Sequence, residues 1–326
     1  MTNNNEIVPE LTSGYVRNSW KALSVFLRPT LLVHSDALDE ALGTHVTLAC
    51  ETLQHTGSFK FRAAYNLLRS VQAQDIVSAS SGNFGQAVAL ASRMLGKQCT
   101  VVMPDQSAQV KIDAVRRNGA TIELVDTTRL SRMDRVRELL AARPGSFYAP
   151  AYDHPSVVAG NSTLGQEIFT KLADVDAVVV PVGGGGLISG IVTARDVLGH
   201  RATIFGAEPS LANDAARSFR AGELIANDVE PPTIADGART LSLGAVTWPI
   251  VRAGVEDIIE VPEDAIAEGV RLLFRFANMK AEPTGALSTA AALIQPKHFR
   301  GKHVCCVVSG GNVDDALYAA ILRREI

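Results

Sequence analysis

Asp176-Ala177-Val178-Val179-Val180-Pro181-Val182-Gly183-Gly184-Gly185-Gly186-Leu187-Ile188-Ser189-Gly190 reads as one unit: a buried strand, a glycine turn and the first turn of a helix. A continuous run of β-branched residues suits a parallel strand covered on both faces. Four glycines in succession let backbone N–H groups turn inward around an anion, with a helix N-terminus behind them. The loop fails G-x-G-x-x-G because Ser189 fills the last position, and fails the Walker pattern because Ile191 stands where lysine is required. A phosphate cradle without a nucleotide motif points to a smaller phosphorylated ligand, whereas a tight turn under close packing would need fewer glycines.

The same grammar recurs along the chain. Asp75–Ala79 runs into Ser80-Ser81-Gly82-Asn83-Phe84-Gly85-Gln86, Gln98–Met103 into Pro104-Asp105, and Lys302–Val308 into Ser309-Gly310-Gly311-Asn312. Ala120–Val125 and Thr203–Ala207 are further strands, the second ending at Glu208. Helical stretches at 85–95, 131–142 and 263–279 supply the crossovers of an α/β fold built on parallel sheet. In such sheets ligands gather beyond the carboxyl ends of the strands, where these loops lie. Composition breaks near 70–75 and 149–155 mark off a compact β/α unit.

Composition narrows the function. The chain has 326 residues, 47% hydrophobic and 20% charged, with 31 basic and 34 acidic residues and a formal net charge of −3. Weak acidity and 6% aromatic content argue against nucleic-acid binding. Cys50, Cys99, Cys305 and Cys306 form no C-x-x-C pair; Cys305 and Cys306, inside an apolar run, read as core residues, and few, scattered cysteines fit a reducing compartment. The start of the chain lacks the basic and apolar stretches of a signal peptide, and no apolar run is long enough to span a bilayer, so the expected location is cytoplasmic.

Thr56-Gly57-Ser58-Phe59-Lys60-Phe61-Arg62 sets a lysine between two phenylalanines. A desolvated lysine gives up its proton readily and serves as an amine nucleophile or base; a surface lysine at a helix start is the plainer alternative. The serine- and asparagine-rich loops at 80–86 and 309–312 can bind a carboxylate or ring atoms, or simply cap the helices that follow.

Taken in register, six segments resemble the fold type II pyridoxal-phosphate enzymes, and within them the serine/threonine dehydratase and serine racemase branch. They are 58–62, 80–86, 183–186, Glu208-Pro209-Ser210, Thr233-Ile234-Ala235-Asp236-Gly237 and 309–312. The resemblance implies a tryptophan-synthase-β-like architecture of two α/β domains, residues 1–72 with 153–326 and residues 73–152, with the cofactor in the cleft between them. It implies that Lys60 joins pyridoxal 5′-phosphate as a Schiff base and moves the α-proton. Phe59 packs beside the ring, Asn83 bonds its phenolic oxygen, Gly183, Gly184, Gly185, Gly186 and Leu187 wrap the phosphate, and Ser309 faces the pyridine nitrogen. A serine in that place, rather than an aspartate, leaves the nitrogen largely unprotonated, which suits elimination. Ser80, Ser81, Gly82 and Asn83 hold the substrate carboxylate, and Ser81 matches the racemases' second proton carrier. Glu208, Ala212 and Asp214 match a divalent-cation site, with Mg2+ the natural candidate. The expected activity is dehydration of a 3-hydroxy-L-amino acid, L-threonine or L-serine, to a 2-oxo acid and ammonia. Racemisation and 3-hydroxyaspartate dehydration are alternatives; β-replacement or a non-catalytic role is more distant. A homodimer is implied, and no regulatory domain of the biosynthetic threonine dehydratases is expected. Three segments depart from the family pattern: Phe84 replaces a usual histidine, Asn161-Ser162 replace Gln-Gly, and 280–285 reads Lys-Ala-Glu-Pro-Thr-Gly. All three are expected near the pocket.

Overall fold

A computed structural model describes residues 8–80, 82–107 and 109–326. Among these residues ten strands form two sheets: β1 (Leu31–His34), β2 (His45–Cys50), β3 (Asp75–Ser78), β4 (Gln98–Pro104), β5 (Thr121–Val125), β6 (Phe147–Tyr148), β7 (Ala177–Pro181), β8 (Thr203–Pro209), β9 (Asp257–Val261) and β10 (His303–Val308). The larger sheet has the order β1-β2-β10-β7-β8-β9, and the smaller β5-β4-β3-β6. Every pair is parallel except the edge pair β1–β2. The fold is therefore the α/β architecture on parallel sheet that the sequence implies.

The central strands of the larger sheet, β7 and β10, are almost wholly buried, as the valine runs require. One hydrophobic cluster lies on each face of that sheet: Val179, Cys306 and Val308 point to one, Val178, Val180, Cys305 and Val307 to the other. This is the period-2 alternation of a strand covered on both sides. Cys305 and Cys306 are both core residues, as read from the sequence.

The helices begin where local chemistry lets them. Ser131 caps Arg132–Ala142 by accepting the Asp134 N–H, and His154 with Pro155 opens the long buried helix Pro155–Lys171. Among the described residues no helix is long and apolar enough to cross a membrane.

Candidate active site

Lys60 opens the helix Lys60–Ser70, just past the carboxyl end of β2. Its approach is irregular: Thr56 takes a left-handed φ of 60°, a conformation that costs about 1–2 kcal/mol in a residue with a side chain. Neighbouring chain holds it there. Asn312 Nδ2 donates to the Thr56 carbonyl at 2.7 Å, Gly311 N–H to the Gly57 carbonyl and Phe59 N–H to the Ser309 carbonyl, each at 3.0 Å. Ser58 and Gly310 form a one-residue bridge. The lysine loop is thus stitched to the loop that follows β10.

Two residues into the helix, Arg62 is wholly buried and uses its guanidinium as a peg. It grips Glu51 through two hydrogen bonds of 2.7 and 2.8 Å, Glu167 at 2.9 Å, and the hydroxyls of Thr163 and Thr30. A buried charge is tolerable only with such complete pairing. The network fixes the helix that carries Lys60, and no local pattern around Arg62 hints at its partners.

The Lys60 ammonium lies 4.8 Å from the centre of the Phe59 ring, within cation–π range. Burial pushes its pKa down to about 8, with Glu282 partly opposing the shift. Glu282, itself 3% exposed, is pushed up to about 8, by burial first and by Asp236 next. It stands immediately before the helix Pro283–Ile294, and Asn83 Nδ2 donates to its Oε1 at 2.7 Å. Asn83 Oδ1 in turn accepts from Asn312 at 2.8 Å. An amide has two N–H bonds, so one remains to meet a ligand. Asn83 therefore does not cap its own helix; Gly82 occupies the cap position without a side-chain bond. Ser309 is not a cap either. The chain stays irregular to Asp314, which caps Asp315–Leu322 through the N–H groups of Ala316 and Leu317.

The glycine loop follows β7 and opens the helix Gly186–Leu198. Gly185 has a left-handed φ of 85°, and a methyl group on Gly184 would lie 2.4 Å from the Tyr152 ring. Behind the loop, Thr247 donates to the Gly184 carbonyl at 2.8 Å and Asn161 to the Gly186 carbonyl at 2.9 Å. With these carbonyls engaged, the free N–H groups of the helix start are what the loop offers to an anion. The Thr240 hydroxyl, buried without a hydrogen-bond partner, lies 3.5 Å from where a Gly183 side chain would begin. Cradle, orphaned hydroxyl and lowered lysine together fit a phosphorylated aldehyde that reacts with an amine.

Glu208 ends up inside the protein rather than on an acidic loop. It lies on β8, 1% exposed, and accepts the N–H groups of Ala215 and Ala216 at 3.0 and 2.9 Å. Asp214, also buried, accepts from Asn227 through Oδ1, while its Oδ2 has no partner. Burial pushes Asp214 up to about 7; burial, then the Asp214 charge, pushes Glu208 well above the usual carboxylate range. Two buried carboxylates and an orphaned oxygen, beside the buried Ala212, fit a hard cation.

Two expectations for the pocket need correction. Phe84 is 2% exposed and joins the hydrophobic cluster of Phe61, Ile76 and Ala87, so it packs the core. Ser162 is wholly buried, and its hydroxyl is engaged by the Trp20 indole N–H at 2.8 Å and by the Ala159 carbonyl at 2.7 Å. Asn161 acts from behind the glycine cradle. Of the third segment, Glu282 alone carries charge into the site, and it is the only charged residue between 281 and 296, a feature legible in the sequence. Ser80 is partly exposed at the helix entrance, its hydroxyl 3.4 Å from the Gly82 N–H. Ser81 lies outside the described residues.

Comparison with known proteins agrees with this geometry. The family model described as pyridoxal-phosphate dependent enzyme matches residues 23–310. An L-threo-3-hydroxyaspartate ammonia-lyase from Pseudomonas sp. is 40% identical over 92% of this chain and 95% of its own. A serine racemase from Schizosaccharomyces pombe is 34% identical over 95% and 96%. The crystal structure of a T.th. threonine deaminase superposes with a TM-score of 0.88 at 36% identity, covering 92% of this chain and 98% of that one. The chain belongs to the pyridoxal-phosphate dependent enzymes.

Proposed function

We propose that the protein is a pyridoxal-phosphate-dependent ammonia-lyase that removes water from a 3-hydroxy-L-amino acid and releases a 2-oxo acid and ammonia. The observation that carries this reading is Lys60: a buried lysine against the Phe59 ring, its pKa lowered to about 8 and opposed by Glu282, which Asn83 bonds with one of its two amide N–H groups. The cofactor, when bound, supplies an electron sink for the charge left at the substrate α-carbon. Lys60 holds it and takes the α-proton. Gly183–Gly186 and Leu187 hold the phosphate, Phe59 flanks the ring, Asn83 meets the phenolic oxygen and Ser309 the ring nitrogen. Ser80, Ser81, Gly82 and Asn83 orient the substrate carboxylate. The β-hydroxyl leaves as water, and the released enamine is hydrolysed to the 2-oxo acid and ammonia. Glu208, the Ala212 carbonyl and Asp214 hold Mg2+, and residues 73–152 move as the smaller domain that gates the cleft.

Among substrates, a dicarboxylic one has specific support. Lys111 pairs with Asp236 at 2.7 Å, and its charge reaches the buried Glu282. This second cation beside the site can receive the extra carboxylate of 3-hydroxyaspartate, the compound named for the Pseudomonas relative.

The test is ammonia and 2-oxo acid release from L-serine, L-threonine and L-threo-3-hydroxyaspartate by the purified holoenzyme, with and without Mg2+. Turnover of at least one, abolished in Lys60→Ala, is the expected result. Failure with all three overturns the lyase reading. Chiral analysis of recovered substrate reads racemisation in the same samples.

A further inference from the structure

The opposite end of the larger sheet carries a cluster that the catalytic reading does not use. His34 ends β1 and stands opposite Thr47 of β2. His303 opens β10 and stands opposite His45, the first residue of β2. Residues directly opposed, or two apart on a strand, project from one face, so His34, His45, Thr47 and His303 share a face. The rings form a row, with centroids 4.8 Å apart for His34–His45 and 4.4 Å for His45–His303. The helix Asp36–Leu42, which joins β1 to β2, brings Asp39 into this row. Its Oδ2 lies 2.9 Å from His45 Nδ1 and 3.9 Å from His34 Nδ1.

We propose that His34, Asp39 and His45 form a binding site for one divalent transition ion of the Zn2+, Co2+ or Ni2+ type, separate from the catalytic centre. Their ligand atoms lie within 4.8 Å of one another. Two imidazole nitrogens and one carboxylate favour such an ion over Mg2+ or Ca2+, which take oxygen ligands. The outer contacts are those of metal ligands. His34 Nε2 is 3.0 Å from Asp36 Oδ1, which orients the ring with Nδ1 toward the cluster. Asp39 Oδ1 accepts the Val46 N–H at 2.8 Å, which leaves Oδ2 for an ion. His34 Nδ1 also lies 3.2 Å from the Val46 carbonyl. Both ring nitrogens therefore face acceptors, and an ion would displace the proton held at Nδ1. Ligand distances of about 2.1 Å bring the three atoms to roughly 3.0–3.5 Å from one another. Rotation of two half-exposed histidine side chains supplies that contraction. His303 is held aside, its Nε2 2.9 Å from Thr47 Oγ1.

β2 and β10 run six residues from this cluster toward the Lys60 and Ser309 loops, about 16 Å at about 3.3 Å per residue. The ion is too distant to touch the reacting atoms. It ties β1, the short helix and β2 together, and its effect is on stability.

Tag-free holoenzyme titrated with Zn2+ by calorimetry, and with Co2+ by visible absorption, tests the site in the wild type, His34→Gln, His45→Gln and Glu208→Gln. With the Glu208–Asp214 site kept filled by excess Mg2+, we expect one Zn2+ per chain in the wild type, affinity for that ion at least tenfold weaker in either histidine variant and unchanged in Glu208→Gln. At a hundredfold excess over Kd, Zn2+ raises the wild-type Tm by roughly 3–6 °C and leaves turnover by the histidine variants at the wild-type level. Wild-type-like affinity in both histidine variants, or loss of the ion in Glu208→Gln alone, overturns the proposal. Should a variant unfold, diethylpyrocarbonate modification of the wild type decides: Zn2+ must protect His34 and His45, and undiminished modification overturns the site.

Discussion

Replacing Glu282 by glutamine tests the electrostatics of the site at its centre. An ordinary lysine with a pKa of 10.5 is unprotonated in about one molecule in 3,000 at pH 7; at a pKa of about 8 the fraction is about one in ten. The difference is roughly 3 kcal/mol in favour of the free amine. Burial produces that shift, and the Glu282 carboxylate is the group that opposes it. An opposite unit charge within about 4–6 Å of a titrating group shifts its pKa by about 1–3 units. Glu282 is itself raised to about 8 and so is about half ionised where Lys60 titrates. Removing it should therefore lower the Lys60 pKa by about one unit. Glutamine keeps the oxygen that accepts from Asn83, so the amide stays in place. Competitive labelling of the cofactor-free protein with an amine reagent across pH 5–11, read at Lys60 by mass spectrometry, gives the pKa directly. The wild-type midpoint should fall near 8 and the variant near 7. A wild-type midpoint above 10, or a variant midpoint equal to or higher than the wild type's, would refute the reasoning.

Arg62→Met strands Glu51, 0% exposed, without its partner. Urea unfolding should show a loss of about 3–5 kcal/mol, with part regained in the double variant carrying Glu51→Leu; a loss under about 1 kcal/mol would mean that the network does not anchor the Lys60 helix. Gly184→Ala drives a methyl group to 2.4 Å from the Tyr152 ring, so pyridoxal-phosphate affinity by equilibrium dialysis should fall at least tenfold and recover partly when Tyr152→Ala is added. The pKa of Asp214 is raised in the fold to about 7, against about 3.9 in the unfolded chain. The folded state therefore binds this proton more tightly, and its contribution to stability is full below about pH 4 and lost as pH rises through 7. Metal-free protein should lose a few degrees of Tm across that window, Asp214→Asn should flatten the loss, and Mg2+ should stabilise increasingly as pH rises; a Tm insensitive to Mg2+ at pH 8 would count against the cation site.

The features readable from sequence are those written in neighbouring residues. Valine runs buried on both faces mark β7 and β10, and a glycine run after one of them marks the cradle, because strand, turn and helix start are set within a dozen positions. β1, β6 and β9 lack that signature: β1 is a four-residue antiparallel edge, β6 is two residues long, and β9 begins with Asp257 and carries Glu260. The hydrogen bonds that organise the site are illegible for a different reason. Asn83 meets Glu282 across 199 positions and Asn312 across 229, and Arg62 reaches Thr163 and Glu167 across 101 and 105. No local pattern records such pairings. Phe84 and Ser162 show the converse. A departure from a family motif draws attention to the pocket, yet burial assigns one side chain to a hydrophobic cluster and the other to an indole.

What holds the site together differs from what holds the sheets together. The two faces of the larger sheet and the main face of the smaller are sealed by extended apolar clusters, the dominant favourable term in folding. The helix Asn83–Met94 packs against the Lys60 helix in one apolar cluster, and beyond that the chain between β3 and β6 meets the rest through the bonds of Asn83 to Glu282 and Asn312 and through the ion pairs Lys111–Asp236 and Arg132–Glu230. Both ion pairs are exposed enough that each is worth no more than about 1 kcal/mol. A ligand bearing carboxylate and phosphate charges competes for those same cations and amides, so its arrival can exchange one set of weak polar contacts for another without disturbing a core. Lys60 is carried on a helix fixed by Arg62, and that helix and the one opened by Asn83 pack into a single cluster that includes Phe61, Ile76 and Phe84. The reacting amine and the helix of Asn83 are thus held by one core, and the contacts that a substrate must displace are the polar side-chain bonds of Asn83 and Lys111 across the site.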